Sequence, residues 1–132
     1  MMAVTHSAAA RNAATDAVTA LIGVSGNLKF RLAGNIGAPG AVVATLPLSV
    51  DAFGDSSGGT AIANPITSDT DTAGDASPVA TATFETSGGT IVLHCAVSAS
   101  GSDINMSGGL TVAAGDTIAI ADGDLTYTAL TA

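Results

Sequence analysis

A chain of 132 residues makes one domain, able to bury roughly two thirds of the surface its unfolded form exposes, and leaves no room for a second. Eleven acidic residues against Arg11, Lys29 and Arg31 set a formal net charge of -8, which repels nucleic-acid phosphates and anionic lipid and argues against both as partners. Hydrophobic residues at 47% and a mean hydropathy of +0.50 exclude the disorder that acidic, apolar-poor chains show.

Residues 7–22 predict a helix. Ala14, Val18, Leu21 and Ile22 fall on one stripe, with Arg11, Asn12, Thr15, Asp16 and Thr19 opposite. Ser7 or Thr5 caps its start and Gly23 ends it. Residues 1–24 therefore read as a helical arm, and residues 25–132 as a single β domain.

Residues 27–32 alternate as a strand, Leu28, Phe30 and Leu32 inward and Lys29 and Arg31 outward. The outward pair reads first as a solvated face; the alternative is a cationic stripe that meets an acidic partner. After a loop over 33–40, residues 41–49 form a strand with Val42, Ala44, Leu46 and Leu48 on one face. Pro47 cannot donate to a ladder, which puts this strand at an edge. Residues 60–63 and 65–67 add a short strand, and 68–78 form an exposed loop without periodicity.

Residues 79–97 carry the clearest pattern, two alternating runs joined by Ser87-Gly88-Gly89, whose glycines can take the positive φ of a hairpin turn. Ala80, Ala82 and Phe84 share one face of the first run. The second run is apolar on nearly both faces, with Ile91, Leu93, Cys95 and Val97 on one side and Val92, His94 and Ala96 on the other. It is expected at the centre of the sheet, covered above and below. Short strands follow around 105–107, 110–113, 117–121 and 125–130. Seven or eight short strands bounded by Gly, Asp or Pro, with one helix, signify a mainly β chain, an antiparallel β-sandwich or jelly roll.

Catalytic chemistry finds little support. His94 and Cys95 are adjacent in a strand and so point to opposite faces. Asp69, Asp71 and Asp75 alternate as hard-cation ligands do, yet lack the glycine and distal Glu of a calcium loop, and read as turn residues; Asp122 and Asp124 read likewise. No glycine-rich loop leads into a helix with a Lys. With Phe30, Phe53, Phe84 and Tyr127 the only aromatics, no aromatic-lined pocket is expected. No catalytic, cofactor-binding or metal residue is assigned, and an enzyme is not expected. Cys95 is the lone cysteine, so no internal disulfide forms; no ~20-residue apolar span or signal-peptide pattern is present, and synthesis in a reducing cytoplasm is expected.

The apolar residues are mostly Ala, Val, Ile and Leu, with no Trp. Ordering each residue costs about 1 to 2 kcal/mol of backbone entropy, and an Ala-rich core returns few buried methylenes against it. Sparse surface charge with high apolarity suits an assembly subunit whose surface is covered by partners.

Several segments, VTHSAAARNAATDAVTAL over residues 4–21, ATLPL over 44–48, DAFG over 51–54, ITSD over 66–69, AAGDT over 113–117 and LTYT over 125–128, resemble a family of small virion proteins encoded by tailed phages and prophages. These motifs span most of the chain and are structural. The resemblance implies a capsid cement or decoration protein with a jelly-roll-like sandwich, bound outside the capsid to the major capsid protein and to copies of itself as a dimer or trimer at a symmetry axis. A tail or fibre component is the alternative. Under that reading the contact residues are Ala14, Val18, Leu21 and Ile22 on the helix, and Val42, Ala44, Leu46 and Leu48 on the edge strand.

Overall fold

The computed structural model describes residues 4–131. One helix, α1 (Ala8–Ala20), precedes seven strands: β1 (Asn27–Arg31), β2 (Val42–Pro47), β3 (Thr60–Ile62), β4 (Thr81–Glu85), β5 (Ile91–Ser98), β6 (Ile104–Asn105) and β7 (Thr126–Thr128). The fold is mainly β. A five-stranded sheet runs β2-β1-β4-β5-β6, and β3 pairs with β7 in a separate ribbon.

Alternation in the sequence accounts for the inner sheet. Leu28 and Phe30 on β1 are paired with Leu46 and Ala44 on β2 and with Phe84 and Ala82 on β4. All six are buried, and each large apolar side chain contributes about 1.5–3 kcal/mol by leaving water. Pro47 ends β2 at the sheet edge, where its missing N–H costs no ladder bond.

The centre of the sheet is β4, not β5 as its apolar run suggests. Every residue of β4 is buried, whereas β5 is half-buried over most of its length, because its outer neighbour is only two residues long. The pair β5–β6 is also parallel, so the sheet is mixed rather than purely antiparallel. A compact turn returns the chain here, tied by Ser98 Oγ to Ser102 Oγ at 2.7 Å and by the Ser102 amide donating to Asn105 Oδ1 at 2.9 Å.

Two bulges re-aim residues that simple alternation assigns elsewhere. Phe30 pairs with Ala44 but Arg31 pairs with Val42, so Val43 is the extra residue and is itself buried. Val42 thereby leaves the face of Ala44 and Leu46. Likewise Phe84 pairs with Leu93 but Glu85 with Ile91, which moves Ile91 off the face of Leu93 and Cys95. The turn between β4 and β5 forms as its sequence requires, with Gly89 at φ 90° and its amide donating to the Thr86 carbonyl at 3.0 Å.

Residues 110–121 form no strand of the named sheets. They lie instead along residues 69–79, through the Asp69↔Ile118 bridge and the amides of Thr72, Asp75 and Val79 donating to carbonyls of Asp116, Val112 and Leu110. The segment over 68–78 is accordingly laced to the body, with Thr72 buried, rather than a free exposed loop.

Candidate functional site

The polar face of the β1–β4 pair is closed, not solvated. Asn27, Lys29 and Arg31 lie opposite Glu85, Thr83 and Thr81, so all six share a face. Glu85 is 1% exposed. Its Oε2 accepts from Arg31 Nη2 at 2.7 Å and from Thr83 Oγ1 at 2.6 Å, and its Oε1 lies 3.2 Å from Lys29 Nζ. Arg31 also donates from Nε to Thr83 Oγ1 at 3.0 Å and from Nη1 to the Gly40 carbonyl at 2.9 Å. A Cβ at Gly40 would come within 2.3 Å of the Leu32 carbonyl oxygen, so only glycine lets this loop close over the guanidinium. Burial works to raise the Glu85 pKa, but hydrogen bonds from Arg31, Thr83 and Lys29, with the Lys29 charge, outweigh it and hold the carboxyl below its ordinary value. The network is internally satisfied, which leaves no cationic stripe for an acidic partner.

The helix is docked in the reverse of the usual sense. Ser7 Oγ caps it by accepting from the Ala10 amide at 3.1 Å. Its polar residues then face the body. Thr15, fully buried, donates to the Gly59 carbonyl at 2.6 Å and accepts from the Ala129 amide at 3.1 Å. Asn12 Oδ1 accepts from the Gly59 amide at 2.8 Å, and Asp16 Oδ1 from the Ser56 amide at 2.9 Å. These bonds satisfy backbone groups of the 56–59 turn and the chain end that no strand partner reaches.

Turning the polar stripe inward turns alanine outward. Ala9, Ala10, Ala13, Ala17, Ala20 and Leu21 are all exposed, and no charged residue interrupts them. Leu21 is 65% and Val24 62% exposed. The surface is a strip about 20 Å long, the length of 13 helical residues.

The contact residues expected from sequence divide on this basis. Leu21 is exposed, and Ala14, Val18 and Val42 are half-buried. Ile22, Ala44, Leu46 and Leu48 are buried in the core and cannot contact a partner, because the helix turns in at its end and β2 presents those residues to β1. Sequence reasoning missed Ala9, Ala10, Ala13, Ala17 and Ala20, since it placed the contact on the stripe of larger apolar residues, Ala14, Val18, Leu21 and Ile22.

Carboxylates of the acidic segments serve the backbone. Asp69 accepts from the Thr45 amide at 2.9 Å and from the Asp71 amide at 3.1 Å, and Asp75 from the Ser77 amide at 2.9 Å. Among the described residues no group of three or more His, Cys, Asp or Glu is arranged to hold a metal ion. His94 pairs with Thr83 and Cys95 with Ala82, so register separates imidazole and thiol onto opposite faces. Burial, reinforced by the negative charge of Asp103, pushes the Cys95 thiol up to about 11, which keeps it protonated at neutral pH.

An aromatic-lined cavity does exist, contrary to the expectation from composition. Phe53, Phe84 and Tyr127 converge from three separate segments, with Phe53 5.6 Å from Phe84 and 6.5 Å from Tyr127 between ring centroids. They line a cleft of about 310 Å³. Only the pairing of distant segments brings them together, and no local motif announces it. No helix among the described residues is long and apolar enough to cross a membrane. Compared with known proteins, the chain matches no family model, no curated protein and no solved structure.

Proposed function

We propose that this chain is a non-enzymatic structural subunit of a tailed-phage virion, a cement protein that binds outside the capsid and strengthens contacts between major capsid proteins. The observation that carries the reading is the uncharged outward face of α1, an apolar strip on a protein of net charge -8. The inward polar stripe satisfies backbone groups of the body, and the alanines it leaves outward would be covered in a subunit that lies against a shell while its acidic segments stay in solvent. Alanine suits this role because it lets a partner backbone approach closely at little cost in side-chain entropy.

The sequence resemblance to virion proteins supports the same reading, with the major capsid protein and further copies of the chain as partners. The fold is then a jelly-roll-like sandwich, the five-stranded sheet forming one layer and the β3–β7 ribbon the start of the other. Packing of Phe84 on β4 against Phe53, and of Phe53 against Tyr127 on β7, supports that arrangement. Each contact need bury only roughly 800 Å² per partner, because many copies act together on one shell.

Deleting the gene from its phage tests the proposal. Particles without the protein should lose resistance to heat or chelator while still attaching to the host. Lost attachment with an unchanged head would instead favour a tail or fibre component.

A further inference from the structure

The aromatic cleft lies apart from the exposed face of α1 and has the volume, about 310 Å³, at which small-molecule sites begin. Three of the chain's aromatic side chains line it, Phe53, Phe84 and Tyr127, with Leu93 and Cys95 beside them. Asp103 is the only carboxylate in its wall, and neither Lys nor Arg reaches it. That carboxylate is fixed in place, its Oδ2 accepting from the Ala96 amide at 2.9 Å, and among the described residues no ion pair neutralises it. Both ion pairs of the described residues go to Glu85 on the other face of the sheet. The Cys95 thiol stays neutral, so it brings no charge of its own.

We propose that this cleft binds a small organic cation, an amine or quaternary ammonium group carried on an aromatic or alkyl body. The apolar body would fill the space among the rings. The cationic head would meet the negative ring faces and the Asp103 carboxylate, the two features of the wall that attract positive charge. An anion finds neither Lys nor Arg in this wall, only the His94 imidazole, whose buried Nε2 has no hydrogen-bond partner, and a neutral apolar molecule leaves the Asp103 charge without a counterion.

Tyr127 is the single tyrosine of a chain without tryptophan, so its emission reports the cleft directly. The full chain is titrated with benzyltrimethylammonium, with neutral benzyl alcohol and with benzoate. The cation should saturate the signal and bind about tenfold tighter than the alcohol, with benzoate weakest. Asp103→Asn keeps an oxygen to accept from the Ala96 amide, and should weaken the cation about fivefold to tenfold while leaving the alcohol unchanged. Tyr127→Leu, followed by calorimetry, should weaken the cation by a similar factor. Equal binding of all three probes, undiminished cation binding by both variants, or no saturation by about 10 mM would overturn the proposal.

Discussion

The β1–β4 face and the outward face of α1 break the same rule in opposite directions. On the sheet, a carboxylate and a guanidinium are taken out of water, and every partner they need is within hydrogen-bond distance. On the helix, a charge-free row of alanines ending in Leu21 is left in water, uncovered by any of the described residues. The difference shows where the chain is self-sufficient and where it is not. Buried charge satisfied from within needs no partner, while exposed apolar surface has a favourable free energy still to gain.

The comparison is broken most severely at its closed end. Glu85→Gln should destabilise the fold by about 3–5 kcal/mol in urea titrations at pH 7, because it strands Arg31 and Lys29 against a neutral group. Since the folded carboxyl lies below its ordinary value of 4.5, its contribution is present above that pH and is lost as pH falls through the lowered folded value. The variant should therefore show a shallower acid limb than the wild type. A loss within 0.5 kcal/mol at pH 7, on the order of an ordinary surface substitution, would mean the network is not an anchor.

Thr15→Val probes the inward helix face. It removes both the donor to the Gly59 carbonyl and the acceptor for the Ala129 amide, and should cost about 1–3 kcal/mol, read by thermal melting. Lys29→Met should cost no more than about 1 kcal/mol, because Lys29 is a quarter exposed and Arg31 still holds Glu85. Double-mutant cycles with Glu85→Gln would assign the coupling to Arg31 if Lys29 contributes little. Smallest of all, Ala17→Glu on the outward face should change stability by less than about 0.5 kcal/mol.

Local rules were legible in the sequence and their tertiary outcome only partly so. Alternation marks β1, β2 and the β4–β5 hairpin, and Ser7 marks the helix start, because strand pleat and capping are decided by neighbours in the chain. The bulges at Val43 and Val92 carry no glycine or other local signature, so the faces of Val42 and Ile91 were misread. An apolar run made β5 look central, but centrality depends on what pairs beside it, and β6 is too short to shield it. On the helix the stripe of Ala14, Val18, Leu21 and Ile22 was expected to make the contact, but which face turns inward is decided by groups far away in the chain. Here Gly59, Ser56 and Ala129 offer backbone groups that only the polar stripe can satisfy. Convergence of Phe53, Phe84 and Tyr127 likewise depends on long-range pairing that no short window reveals.

The central claim is that the outward face of α1 is a contact surface on a shell. Under the proposed virion role, cosedimentation of wild-type protein and Ala17→Glu with phage heads purified without the protein tests it most directly. The expected result is saturable binding by the wild type and loss of binding by the variant, with both folded to the same melting temperature. Equal binding by the two proteins, or no binding by the wild type, would contradict it.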